Sequence, residues 1–246
     1  MLNARSVKAE LERHANPAKA AVLARFFKTG KGEYGEGDHF LGVIIPIQRD
    51  IARKHRGMDL DEITKLIKDK YHEVRMTGFL ILVDMFERTD PDRTQYDLKN
   101  RVHGDEALRE KIVKFYMKNL MHVNNWDFVD GTAPYILGPY YMNHSRVPIH
   151  KLARSKDLWR RRVGILAAGY FIRHNDFADI LRIAKQNISD DRDLIQKATG
   201  WMLREVGKKD RKVLIGFLKA HAHHMPRTML RYSLEHFSKE ERKKYM

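Results

Sequence analysis

Helical periodicity along nearly the whole chain, glycines that recur at a near-constant interval, and a scarcity of strand signals predict an all-α protein built from repeated helical hairpins. The elements follow in order. Asn16-Pro17 reads as a helix cap followed by a proline in the first turn, opening "PAKAAVLARFF". "KTGKGEYGEGDH" carries four glycines and is expected to be a loop. Pro46 can open "PIQRDIARKH", with Gly57 as its stop. "DLDEITKLIKD", "GDEALREKIVKFYMKNL" and "DFADILRIAKQN" all place apolar residues three and four apart. A β-branched run near Val43 is the one weak strand signal.

The repeat emerges when "EVRMTGFLIL" from 73, "WRRRVGILAA" from 159 and "IQKATGWMLR" from 195 are stacked on their glycines. Each has a basic residue three before the glycine (Arg75, Arg161, Lys197), a β-branched residue just before it, and large apolar residues after it. Gly164 to Gly200 is 36 residues, and Gly78 to Gly164 is 86, or two units of 43. Such a period belongs to helical-hairpin solenoids of the HEAT or armadillo kind, so residues 1–246 are expected to form one HEAT-like repeat domain. "WDFVDGTAPY" from 126 fits the missing unit loosely, with Gly131 at the shared position. A repeated glycine lets adjacent helices pack closely, so structure alone can explain it.

The residues that break this pattern carry the functional signal. Asp130 stands where the other copies have Thr77, Val163 and Thr199; Arg162 stands where Met76 and Ala198 stand; Trp201 replaces Phe79 and Ile165. Trp126 and Asp130 are four apart, which on a helix puts indole and carboxylate on one face. Taken singly, a tryptophan at helical spacing is usually core filling, and an aspartate near a helix end is usually a cap. Trp159 is expected to pack and Arg160 to be solvated.

Composition excludes several classes. A chain of 246 residues that is 43% hydrophobic and 10% aromatic can bury a sizeable core. Its best apolar run, "FLGVIIPI", is broken by Pro46 and falls short of a bilayer span. "MLNARSVKAELERH" is charged from residue 5 and has no signal-peptide pattern, so a cytoplasmic, nucleoid-associated location of bacterial type is expected. The absence of cysteine removes disulfides, thiolate nucleophiles and Cys-based zinc sites. Net charge is +15, and residues 151–246 hold 23 Lys plus Arg against 11 Asp plus Glu, which points to a polyanion as partner. The histidines of "HAHH" at 221–224 do not have the spacing of a familiar metal site. "GKGEYGEG" at 30–37 lacks both the preceding strand and the Gly-Lys-Ser/Thr ending of a phosphate loop. No nucleophile elbow can be read.

Together, "NNWDFVD", "LWRRRVGIL", "IQKATGWMLRE" and "FLGVIIPIQRDIARK" resemble the AlkD-type DNA alkylation-repair glycosylases, in the same order and at similar separations, from about residue 5 to residue 235. The resemblance implies a right-handed superhelix of HEAT-like pairs whose concave basic face holds duplex DNA. It implies hydrolysis of the N-glycosidic bond of N3- and N7-alkylated purines by a monomer that needs no metal or other cofactor and does not flip the base. It assigns the catalytic aspartate to Asp130, the lesion-flanking tryptophans to Trp126 and Trp201, and a phosphate-contacting arginine to Arg162. Arg161, Lys197, Arg204, Lys208 and Arg49 would face the DNA backbone. The chain departs from the family in the glycine-rich insertion at 30–37 and in Ile44 and Ile45, which stand where polar residues are expected; both departures bear on substrate range.

Such a sparse site suits the chemistry. A cationic alkylpurine is already a good leaving group, so the enzyme has only to stabilise the oxocarbenium-like sugar and admit water. The alternative is a non-catalytic repeat protein that binds nucleic acid or scaffolds proteins, and such a binder has little use for an acid among arginines.

Overall fold

A computed structural model describes residues 2–89 and 105–246; Gly104, which opens "GDEALREKIVKFYMKNL", lies outside the described residues. Fourteen α-helices account for most of them, and the β contact among them is an isolated parallel bridge between His39 and Tyr71. Contacts gather into two compact units, Met1–Thr132 and Ala133–Met246.

The first unit contains α1 (Ala4–Glu12), α2 (Pro17–Phe26), α3 (Ile45–Lys54), α4 (Leu60–Ile67), α5 (His72–Arg88), α6 (Glu106–Lys118) and the opening turns of α7 (Trp126–Met142). Asn16 caps α2 as expected, its side chain accepting the Lys19 N–H at 3.0 Å. Pro46 occupies the first turn of α3, but that helix ends at Lys54, before Gly57. The central element is α5, buried on every side from His72 to Val83, with α1, α3 and α4 packed around it. A helix enclosed in this way shows no amphipathic stripe. Burial of rings such as Phe79 and Phe86 contributes roughly 2 to 3 kcal/mol each.

The run near Val43 is not a strand. Its backbone is captured by the buried Glu73 of α5, whose carboxylate accepts from Leu41 and Gly42 at 2.8 Å and from Val43 at 3.2 Å. Gln48 donates to the Val43 carbonyl at 2.7 Å. The segment is thus extended without a partner strand, its N–H groups satisfied by one side chain.

The second unit holds the rest of α7, then α8 (Val147–Leu152), α9 (Leu158–Arg173), α10 (Ala178–Gln186), α11 (Asp193–Lys209), α12 (Arg211–His221), α13 (Arg227–Ser233) and α14 (Lys239–Arg242). Side-chain caps start α9 and α12: Asp157 accepts from Arg160, and Asp210 accepts from Lys212 and Val213. Pro134 and Pro139 lie inside α7, a helix that sequence rules would end earlier. No helix of the described residues is long and apolar enough to cross a membrane.

The glycine repeat has a structural basis, with one change of partner. A Cβ on Gly78 would come within 2.9 Å of Leu66 and Ile67 of α4, and one on Gly164 within 2.3 Å of the Ala153 backbone beside α8. These two are equivalent: each seats a long helix against the shorter one before it. Gly200 instead approaches α13, a later helix that comes after the intervening α12, at 2.5 Å from the Met229 carbonyl. The basic residue three positions earlier also recurs in role. Arg75 donates to the carbonyls of Asp69 and Lys70, and Arg161 to those of Ser155 and Arg154, so each arginine ties down the loop entering its helix.

Gly164→Ala is expected to cost about 3 kcal/mol, because its methyl would collide with backbone. Gly216→Ala in α12 meets nothing within 4 Å and is expected to stabilise by about 0.5 to 1 kcal/mol. Urea midpoints of the two variants should move in opposite directions.

Candidate active site

The residues of "VNNWDFVDGT" form the entry to α7, and four consecutive positions there are individually anchored. Asn124 accepts from Arg75 at 3.1 Å. Asn125, fully buried, accepts the Trp126 N–H at 2.8 Å and donates to the Phe27 carbonyl at 3.3 Å. Trp126 stacks on Phe27, with ring centroids 5.2 Å apart and planes at 28°, and meets the exposed Phe26 edge-on at 5.7 Å. Asp127 accepts from His72 Nε2 at 2.7 Å.

His72 is the centre of this arrangement. Its Nδ1 lies 2.8 Å from Asp38 Oδ2, so the ring bridges two carboxylates, and Asp38 also receives Arg75 at 2.7 and 2.9 Å. The ring itself is boxed by Phe40, Phe27 and Phe128, at 4.6, 4.9 and 4.5 Å. Burial alone would lower the pKa of His72; the carboxylates of Asp127 and Asp38 outweigh it and raise the pKa to about 9. Burial would likewise raise that of Asp38, but His72 and Arg75 hold it below the ordinary carboxylate range.

The glycine-rich loop delivers Asp38 to this cluster. It is laced by its own hydrogen bonds, Gly30 and Gly32 donating to Glu33 and Glu36 at 2.8 Å and Gly35 to the Lys28 carbonyl at 2.9 Å. Gly35 also has no room for a side chain: a Cβ would lie 2.5 Å from the Phe27 carbonyl and 3.2 Å from Asn125.

Asp130 lies one helical turn beyond Trp126, and both side chains are partly exposed. Its counterparts in the repeat, Thr77, Val163 and Thr199, are all at or below 1% exposure. The position that breaks the pattern in sequence therefore breaks it in burial as well. Packing behind it is looser too, since a Cβ on Gly131 would meet only the flexible Met76 Cε within 4 Å. Arg49, in the same unit, is exposed on α3 and lines a hollow of about 140 Å³ with Ala52, Arg53, Leu80, Val83, Asp84 and Glu87.

In the second unit Glu205 gathers three of the sequence candidates. Its Oε1 accepts from Trp201 Nε1 at 3.1 Å, from Arg204 at 3.1 and 3.2 Å, and from Lys208 at 2.9 Å. Trp201, like Asp130, is partly exposed where its counterparts Phe79 and Ile165 are fully buried. Arg204 also pairs with Glu235, and Lys197 pairs with Asp193 at 2.6 Å. Arg161 pairs with Asp190, which Arg192 also binds at 2.6 Å. Arg162 is 5% exposed and donates to the Leu194 carbonyl at 2.8 Å, joining α9 to the start of α11. Arg160 is exposed, and Trp159 is partly buried. No group of three or more His, Asp or Glu side chains among the described residues is placed to hold a metal ion.

The sequence profile described as DNA alkylation repair enzyme matches residues 7–237. The chain belongs to that family. Its fold agrees: a solved structure described as a predicted DNA alkylation repair enzyme from Enterococcus faecalis superposes with a TM-score of 0.66 at 15% identity, covering 92% of this chain and 97% of the other. No curated protein matches the sequence significantly. Family membership places the chain among enzymes of DNA alkylation repair.

The buried bridge makes stability pH-dependent on the alkaline side. His72 binds its proton more tightly folded, near pH 9, than unfolded, near 6.5, so about 3 kcal/mol is present in full below pH 6.5 and lost as pH rises to about 9. Urea midpoints taken across that window should fall for the parent protein, and His72→Gln should remove this slope.

Proposed function

We propose that this family member is a monofunctional DNA glycosylase that hydrolyses the N-glycosidic bond of N3- and N7-alkylated purines in duplex DNA. The reading is carried by Asp130, a partly exposed carboxylate at a position otherwise buried, held one turn from a partly exposed tryptophan on a rigidly anchored helix entry. The lesion supplies its own positive charge, so no general acid is required. As the glycosidic bond lengthens, charge passes to the sugar, and the Asp130 carboxylate stabilises it while water attacks the anomeric carbon. At about 4 Å and an effective dielectric near 20, that attraction is worth roughly 4 kcal/mol, or about three powers of ten in rate.

Trp126, one turn from Asp130, would offer its ring face to the same developing cation, about 1 kcal/mol, and limit access of water to the carboxylate, and Trp201 would contact the duplex. The base would stay in the duplex, since stacking against the sugar requires no extrusion. Phosphates would be held by Arg49, Lys208, Arg204, Lys197, Arg161 and Arg162. Arg204 and Lys208 can exchange their shared Glu205 partner for a phosphate at little cost, because partly exposed ion pairs are weak. The protein would act as a monomer at the bacterial nucleoid, without metal, in base excision repair.

Asp130→Asn should lower the single-turnover release of N7-methylguanine and N3-methyladenine from methylated duplex about 10³-fold, with duplex affinity unchanged. Trp126→Ala and Trp201→Ala should each lower it roughly tenfold or less. Binding should weaken with salt, and the logarithmic slope should become shallower by about 0.9 for each phosphate that an Arg or Lys variant no longer neutralises. Salt-sensitive binding with no release from the parent would instead establish a non-catalytic binding protein.

A further inference from the structure

We propose that His72 is a positioning residue for base release: by bridging Asp38 and Asp127 it fixes the entry of α7, and through Phe27 it sets the plane of Trp126 and the place of Asp130. The inference rests on the roles given above to Trp126 and Asp130.

Two independent routes lead from His72 to the indole. One is covalent, because Asp127, which accepts from Nε2 at 2.7 Å, directly follows Trp126 and precedes Asp130 by three residues. The other is through space: Phe27 contacts the His72 ring at 4.9 Å and the Trp126 ring at 5.2 Å, and Phe40 stacks behind both Phe27 and His72, at 5.3 and 4.6 Å. Trp126 is thus joined through Phe27 to a buried cation. Both ring nitrogens of that cation donate, so the imidazolium cannot rotate without breaking a charged hydrogen bond.

Stability alone does not explain the choice. The cluster buries a carboxylate, an imidazolium and a guanidinium and half-buries a second carboxylate, where well-packed apolar residues would serve as well or better. Directional bonds give something an apolar contact lacks, a single orientation, and catalysis is sensitive to displacements of about 1 Å. The groups that face His72 are Asp38 from the glycine-rich loop and Asp127 from α7, with Arg75 of its own helix reaching Asp38. The next residue, Glu73, is turned to the backbone of residues 41–43. The remaining neighbours are the rings of Phe27, Phe40 and Phe128.

The test reads Trp126 directly. In a protein carrying Trp159→Phe and Trp201→Phe, Trp126 emission is followed from about pH 6 to about pH 10, with far-UV circular dichroism to confirm that helices persist. A transition centred near pH 9 is expected, shifted downward by Asp127→Asn and abolished by His72→Gln. With all tryptophans present, His72→Gln should reduce the single-turnover rate of N7-methylguanine release roughly tenfold to a hundredfold while duplex affinity stays within about twofold. Because Asp127→Asn keeps the shape of the side chain and the pH series needs no substitution at His72, misfolding of one variant leaves the test intact. Emission that is flat in pH while the helices persist, or a His72→Gln protein that keeps the parent rate, overturns the proposal. A parent protein that releases no base removes the glycosylase reading instead, and the emission series still decides whether His72 orients Trp126.

Discussion

A buried histidine placed between two carboxylates, one buried and one half-buried, is the interaction on which the first unit depends. Each charge in it would be costly alone: Asp38 has no side-chain exposure and His72 has 3%, so each needs charged partners to stay ionised there. Paired, they join three segments that are distant in sequence, namely the glycine-rich loop, the start of α5 and the entry of α7. Arg75 closes the set by binding Asp38, Asn124 and the carbonyls at the end of the α4 loop. The apolar core around α5 supplies the free energy of folding, whereas this cluster fixes which residues of α7 come first to the surface.

The second unit orients its tryptophan by different means. Glu205 holds Trp201, Arg204 and Lys208 within one helix, at spacings of four, one and three residues, and all four side chains remain at least partly accessible. Burial would raise the pKa of Glu205, but Lys208 and Arg204 lower it, so it stays ionised. Such a pair is screened by water and salt and exchanges readily. One tryptophan is therefore set by a stiff, dry network and the other by a soft, wet one, and the soft one carries the cations that a polyanion would engage.

The sequence was most legible where the determinants are local. Helix periodicity, the Asn16-Pro17 start and the loop character of residues 28–39 need only neighbours along the chain, and all appear in the structure. The glycine repeat was legible as a pattern, yet only Gly78 and Gly164 use it in the same way, because which helix a glycine faces is decided by tertiary packing. The repeat-breaking residues proved to be a useful signal: Asp130 and Trp201 differ from their counterparts in exposure as well as in identity, while Arg162 is buried like its own. The bridge was invisible. Asp38 and His72 are 34 residues apart and His72 and Asp127 are 55 apart, and neither spacing belongs to a local rule. Glu205 could have been found, since an acid four after a tryptophan and three before a lysine on a helix shares a face with both. At the two prolines inside α7 local propensity yields to packing.

The bridge also bears on chemical reactivity. An electrophile attacks a lone pair, and an imidazolium whose two N–H groups both point at carboxylates presents none. The chain carries no cysteine, the side chain that alkylating agents consume most readily. A protein of DNA alkylation repair thus keeps the histidine at the root of its candidate site in the protonation state least open to the agents that damage its substrate.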